Sequence, residues 1–280
     1  MQDPYSKSAL RLCFLRELDP GKTFECGQCF RWNRDETGAY TGVAFGRVAR
    51  LFVEDDSVYI CDSDGNNEKL WKDYFDLNLD YEAISRDFRS DEYLNACVEY
   101  GMGIRLLRQE PWEGLCSFII SQCNNIPRIK GIIERMCSLF GNPIDFAGKQ
   151  YHAFPSAETL AGLSEADLEP LRCGYRAEYI LIAAKAVASG ELDLNQLITE
   201  PFDEKIRVLR QFKGIGAKVA NCAALYGLHD HSGFPIDVWM KRALKEHFPP
   251  DFDPKRLGEH AGLAQQYIFH YARNAGSPDT

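Results

Sequence analysis

The strongest constraint on the fold of this chain is a change of period near residue 66. Before it, apolar residues come in short runs rich in β-branched and aromatic side chains. These are "FRW", "AYTGVAF", "VARLFVE" and "SVYICD", divided by the turn-forming stretches "RDETG" and "DSDGNN". Such runs over residues 22–62 predict an antiparallel meander. Beyond it, "EKLWKDYFDL", "YEAISRDF" and "DEYLNACVEYG" repeat their apolar residues at helical spacing. Residues 112–140 predict at least two helices around "SQCNNIPR", where Pro127 and two Asn favour a turn or helix start. "SEADLEPLR", "YRAEYILIAAKAVASG", "PFDEKIRVLRQF" and "AKVANCAALYG" continue the helical pattern. Strands first and helices after predict an α+β chain. Its N-terminal antiparallel β-sheet domain, with some helices, spans 1–104 and packs on a mostly α-helical domain over 105–280.

Several function classes fall away early. "ECGQCFRW" carries Cys26-x-x-Cys29, a spacing that suits a redox pair or half a zinc site. There is no second C-x-x-C, and no His pair lies near it in the chain to complete such a site. Others of the ten cysteines sit in apolar helical patterns, where Cys acts as a small hydrophobe, so reduced thiols are expected. No cysteine follows Cys222, which leaves no cysteine-ligated iron–sulfur cluster in the tail. No run of eighteen apolar residues could span a membrane, and "MQDPYSKSALRLCFL" is a poor secretory signal. The net charge of −9 argues against a protein that coats nucleic acid, yet it is uneven. Residues 205–245 hold eight Lys/Arg against Asp230 and Asp237. That local excess can bind phosphate or be a solvated basic face.

"LRQFKGIGAKVANCAALYG" (209–227) is the most informative segment. One helix ends near Phe212, Gly214 and Gly216 permit a tight turn, and a second helix begins near Ala217. This hairpin presents backbone N–H groups that can hold a phosphate. An ordinary αα-hairpin with glycine caps explains a bare G-x-G equally well. Lys218 sits in the second helix's first turn, where a cation opposes the helix dipole, and its apolar neighbours favour a neutral, nucleophilic amine. In "FPIDVWMKRALKEHF", Asp237 is placed as an N-cap, or as a carboxylate facing Lys218 across a cleft to stabilise a cationic transition state.

Gly-Ile-Gly-x-Lys followed by Pro-Ile-Asp-Val resembles the bifunctional helix-hairpin-helix DNA glycosylases, with the hairpin at about 205–227. "GQCFRW", "GIRLLRQEPWEGLCSFIISQCNNIPRI", "CGYRAEY" and "AGLAQQYIF" extend the resemblance to the 8-oxoguanine DNA glycosylases, over residues 27–269. The resemblance implies excision of 8-oxoguanine from duplex DNA by base flipping, Schiff-base formation on lysine and β-elimination. By it, Lys218 is the nucleophile and Asp237 the stabilising carboxylate. Gln265 reads the Watson–Crick edge, Phe269 and Cys222 stack on the two faces of the base, and the Gly27 carbonyl accepts the N7–H that marks the oxidised purine. Tyr175 and Arg176 wedge into the stack and meet the opposite base. Asn124, Asn125 and Arg128 fill the vacated space, while Gly214, Gly216 and Trp239 lie on the DNA backbone. Cys123 and Trp239 stand where other members carry Asn and His, which resembles bacterial members and predicts looser choice of the opposite base. No cofactor and no metal is implied. The expected partner is double-stranded DNA containing 8-oxoguanine, bound by an intracellular monomer (cytoplasmic at the nucleoid in a bacterium, nuclear in a eukaryote). Rival readings are a helix-hairpin-helix glycosylase for another damaged base and a non-catalytic DNA-binding module.

Overall fold

The computed structural model describes residues 9–275. The chain begins with β1 (Leu10–Phe14) and α1 (Pro20–Glu25), then β2 (Asn33–Arg34), β3 (Tyr40–Ala44), β4 (Arg47–Glu54) and β5 (Ser57–Asp62). The five strands form one antiparallel sheet in the order β1-β5-β4-β3-β2. Strands β2 to β5 are the expected meander. The unforeseen β1 joins the outer side of β5, pairing Leu10 with Ile60 and Phe14 with Ser57.

Two expectations within 22–62 are corrected. Residues 20–25 are helical, because Asp19 caps the Lys22 N–H at 3.1 Å and Pro20 takes the first helical position. "FRW" is not a strand. Trp32 turns inward instead, stacks on Phe24 at 4.4 Å and donates its indole N–H to the Tyr74 hydroxyl at 2.8 Å. It lies so close over Gly42 that a Cβ there would come within 2.4 Å of the ring.

The helical part comprises α2 (Glu68–Tyr74), α3 (Tyr81–Phe88), α4 (Glu92–Gly101), α5 (Pro111–Ile120) and α6 (Ile126–Phe140). A hairpin of β6 (Pro143–Phe146) and β7 (Lys149–His152) follows, then α7 (Ala157–Ala161), α8 (Arg176–Ala188), α9 (Leu194–Thr199) and α10 (Phe202–Leu209). The chain ends with α11 (Ala217–Cys222), α12 (Val238–His247) and α13 (Ala261–Asn274). The unforeseen β6–β7 hairpin lies within the domain expected to be mostly α-helical; Ala147 and Gly148 make its turn with φ of 55° and 73°. Seven of these helix starts follow one rule: Asn67, Asp80, Asp91, Asn125, Ser156, Asp193 and Asp237 each accept an N–H of the first turn. Each such cap contributes about 1 kcal/mol.

Packing crosses residue 104 in both directions. Phe88, Leu94, Cys97 and Val98 join the helical core around the buried α5, whereas Leu107 returns to the core beneath the sheet. Gln28 stitches this crossing: its amide donates to the carbonyls of Thr23 and Arg105 at 2.9 and 2.7 Å and accepts from Leu107 N–H at 2.9 Å. Cys26 and Cys29 are buried on either side of it, and burial raises both thiols, Cys26 to about 12. A buried, protonated pair is neither a redox nor a zinc centre. No described helix is long and apolar enough to cross a membrane.

Candidate active site

The hairpin forms as its sequence requires. α10 ends at Leu209, and α11 starts at Ala217. Gly214 has φ +90°, and a Cβ on it would lie 2.2 Å from the Tyr179 ring. Gly216 differs: it is extended, exposed and N-terminal to α11, with open space where a Cβ would be. Gln122 donates its amide to the Gly214 carbonyl at 3.0 Å, which ties the hairpin to the loop between α5 and α6.

Lys218 is half-buried in the first turn of α11. Its ammonium nitrogen Nζ lies 3.2 Å from Ser121 Oγ and 5.4 Å from the centre of the Phe118 ring. One cavity is lined by Lys218, Asp237, Cys26, Gly27, Phe118, Cys222, Tyr226, Pro235, Gln265 and Phe269. All six residues expected at the base pocket therefore meet. Wider clefts exist, but the one lined by Tyr81, Arg89, Met102 and Arg105 offers no lysine, cysteine or histidine.

Asp237 caps α12, accepting the Met240 N–H at 2.9 Å. This cap fixes the carboxylate at the cavity wall, so its structural and chemical uses coincide. No ion pair joins it to Lys218 among the described residues. The two charges act jointly on the Cys222 thiol: burial pushes it up to about 11, Lys218 lowers it and Asp237 raises it.

Gln265 is buried rather than on the surface, with 3% of its area exposed. The Tyr226 hydroxyl contacts its Oε1 at 3.2 Å, and its Nε2 donates to the Pro235 carbonyl at 3.3 Å. One N–H and one lone pair remain for a ligand. Tyr226 also donates to Gln266 Oε1, and Gln266 Nε2 donates to the Cys26 carbonyl at 3.0 Å. Gln109 holds the Gln28 carbonyl at 2.8 Å. Between these two occupied carbonyls, that of Gly27 has no hydrogen-bond partner among the described residues. Gly27 has φ +79° and faces the Phe269 ring.

The sequence did not single out Gln266, Phe118 or Ser121, and it gave Tyr226 only as a lining position that differs from other members of the family. A spacing signal existed for Tyr226: Lys218, Cys222 and Tyr226 recur every four residues, one face of a helix. The turn after Cys222 is π-helical over 223–227, a form frequent at functional sites.

The rim residues divide. Tyr175 is 53% exposed and meets Tyr179 edge-on, and Tyr179 backs Gly214. Arg176 departs from its expected place at the opposite base. It is buried, and its guanidinium donates to the carbonyls of Gln122, Cys173 and Cys123, supporting the loop from beneath. That loop leaves Cys123 exposed with φ +46°. Asn124 donates to the Ile120 carbonyl, Asn125 caps α6, and the exposed Arg128 donates to the Arg172 carbonyl at 3.3 Å. Trp239 is half-buried on the first turn of α12, beside Val238 at 80% exposure. The basic excess of 205–245 is partly neutralised: Lys205, Arg207, Lys213 and Arg242 pair with Asp230, Glu204, Glu178 and Glu246. A diffuse positive patch is thus a weaker feature than the shaped hairpin.

Residues 12–115 match the family model described as 8-oxoguanine DNA glycosylase, N-terminal domain, and residues 116–262 that of the HhH-GPD superfamily base excision DNA repair proteins. The N-glycosylase/DNA lyase OGG1 of Arabidopsis thaliana is 30% identical, over 94% of this chain and 76% of that one. The N-glycosylase/DNA lyase of Saccharomyces cerevisiae is 31% identical, over 87% and 72%. Among solved structures, the Clostridium acetobutylicum 8-oxoguanine glycosylase/lyase bound to double-stranded DNA with cytosine opposite 8-oxoguanine superposes with a TM-score of 0.87. Its identity is 36%, and 93% of each chain is covered. With both halves of the chain matched in order, and with lysine, aspartate and glutamine meeting in one cavity, the chain belongs to the 8-oxoguanine DNA glycosylase family of the HhH-GPD base excision repair proteins.

Proposed function

We propose that the Lys218–Asp237 cavity is where this chain, an N-glycosylase and DNA lyase, excises 8-oxoguanine from duplex DNA. The observation that carries the reading is the free Gly27 carbonyl between two occupied ones. An N7–H exists on 8-oxoguanine, whereas guanine presents a lone pair there. A fixed carbonyl attracts the first and repels the second, and glycine lets the backbone approach without a Cβ. Gln265, held by Tyr226 and Pro235, turns its remaining valences to the base edge. Cys222 and Phe269 bracket the ring.

Lys218 Nζ, as the free amine, attacks C1′ of the flipped nucleotide. The bond from C1′ to the base breaks, and the base leaves with the electron pair. The Asp237 carboxylate faces the sugar as positive charge develops there. Opening of the sugar gives an imine to Nζ, and loss of a C2′ proton expels the 3′ phosphate. The hairpin amides, Gly214 and Gly216 hold the DNA backbone. Asn124, Asn125, Arg128, Tyr175 and Trp239 face the duplex around the lesion. Arg176 acts as a positioning residue beneath the loop, through the Gln122 and Cys123 carbonyls. The substrate sets the compartment, which is wherever the chromosome lies.

Borohydride trapping tests this. Incubation with a duplex carrying 8-oxoguanine opposite cytosine is expected to give a covalent adduct that Lys218→Gln abolishes. No adduct from the wild-type protein with 8-oxoguanine, but one with another lesion, would assign a different target. Binding without any adduct would leave only a DNA-binding module.

A further inference from the structure

Outside the pocket, the described residues hold one group of three metal-ligating side chains, Asp76, His229 and His231. Asp76 follows α2. The two histidines form an H-x-H stretch in the loop that runs from the π turn to Asp237. The Nε2 atoms of His229 and His231 lie 3.1 Å apart. Asp76 Oδ1 is 3.4 Å from His229 Nε2, and its Oδ2 is 3.7 Å from His231 Nε2. Ligand atoms bound about 2.0–2.1 Å from a tetrahedral zinc ion sit roughly 3.3–3.4 Å from one another. The His229–His231 separation, and the distance from each histidine to its nearer Asp76 oxygen, lie within about 0.4 Å of that edge.

The chemistry of the donors agrees. Two imidazole nitrogens that face one another share at most one proton. Both rings turn Nε2 toward each other and toward Asp76, and a neutral imidazole nitrogen is the form that ligates a metal. His229 Nδ1 is buried without a hydrogen bond. The groups around the cluster hold the ligands in place. His231 Nδ1 meets His260 Nδ1 at 3.1 Å, and the Tyr81 hydroxyl donates to Asp76 Oδ2 at 2.9 Å. Arg108 donates to Asp76 Oδ1 from 3.0 and 3.2 Å; its charge opposes a dication, but its side chain is half exposed and screened by water.

We propose that Asp76, His229 and His231 form a binding site for a zinc-class divalent metal ion, with water in the fourth position. The ion acts as a brace. It joins the segment after α2 to the loop that delivers Asp237, and His260 links it to the start of α13, which carries Gln265 and Phe269.

The test uses the full chain stripped by chelator and titrated with zinc alone, then with cobalt(II) alone. Calorimetry is expected to give one equivalent of zinc, and zinc is expected to raise the Tm. Cobalt is expected to give the visible bands of a tetrahedral N/O site with no thiolate charge-transfer band. His231→Asn and Asp76→Asn are expected to lose uptake, and His260→Ala to weaken it about 10- to 100-fold. Cys123→Ser, which removes the exposed thiol, is expected to leave uptake unchanged. No uptake by the wild-type chain, a thiolate band with cobalt, or full uptake by a folded His231→Asn would each overturn the proposal. The wild-type cobalt spectrum decides the matter even if a variant fails to fold.

Discussion

Gly27→Ala separates sensing of damage from binding of DNA. The backbone at Gly27 has φ +79°, so an L side chain costs about 1–2 kcal/mol there. The added Cβ meets Phe269 Cε1 at 3.4 Å and Ile126 Cδ1 at 3.8 Å, which is ordinary contact. Folding should therefore survive, with Tm lower by roughly 2–8 °C for a chain of this size. The methyl group occupies the approach between the Gly27 carbonyl and the Phe269 ring. It weakens one hydrogen bond, about 0.5–1.5 kcal/mol, and one stacking face, about 1–3 kcal/mol. The sum, about 1.5–4.5 kcal/mol, predicts roughly a 10- to 2000-fold loss in kcat/KM for 8-oxoguanine excision. Single-turnover excision from an 8-oxoguanine:cytosine duplex measures it, with Kd for the undamaged duplex alongside. The undamaged Kd should change less than threefold by our reasoning, since the hairpin is untouched. Equal losses of excision and undamaged binding would refute the assignment of Gly27.

Three further predictions follow from the geometry. Gly214→Ala places a Cβ 2.2 Å from Tyr179 at a φ of +90°, so it should displace the hairpin and weaken duplex binding at least tenfold; unchanged Kd by fluorescence anisotropy would contradict this. Lys205 and Asp230 form a buried pair at 2.6 Å, so Lys205→Met should cost about 3–5 kcal/mol, and adding Asp230→Leu should recover most of it; urea unfolding of the cycle measures both, and a single-variant loss under about 1 kcal/mol would count against the pair. Glu113 lies beside Arg31 at 3.7 Å, yet burial outweighs that contact and pushes its carboxyl up to about 7. A raised carboxyl contributes stability that is full below the unfolded value of 4.5 and is lost as pH rises toward 7. Glu113→Gln should therefore gain on the wild type by up to about 3 kcal/mol between pH 4 and pH 8, and parallel stability–pH curves would refute it.

Much of this was legible in the residues. The two glycines between apolar helical runs gave the hairpin, with α11 starting at Ala217 as read. Short runs of β-branched and aromatic residues between turn stretches gave the meander. The strand β1 was not legible, because "LRLCF" draws its meaning from pairing with β5, not from its own period. The Asp19-Pro20 signal for α1 was present but lay beside an aromatic run that resembles a strand. The pocket's membership needed the resemblance: nothing in "AGLAQQYIF" alone distinguishes a buried, oriented glutamine from a surface one. Arg176 shows the limit of reading position by position. Its burial depends on three carbonyls, two of them in a loop far back in the sequence. The Asp76–His229–His231 group was likewise hidden, since only the H-x-H half is local.

The pocket has a division of labour written into its walls. Lys218, Asp237 and Gln265 come from the helical C-terminal half, while Gly27 arrives on a loop anchored through Gln266 and Gln109. On the reading proposed for Gly27, the recognition element is main chain and cannot be retuned by exchanging a side chain. Drift in that one contact must act by moving the loop, through substitutions at Gln266, Gln109 or Gln28, or by losing it, while Gln265, Cys222 and Phe269 remain open to side-chain exchange. Point mutation should thus readily silence that contact but seldom redirect it, which makes this one criterion for the lesion robust on an evolutionary scale.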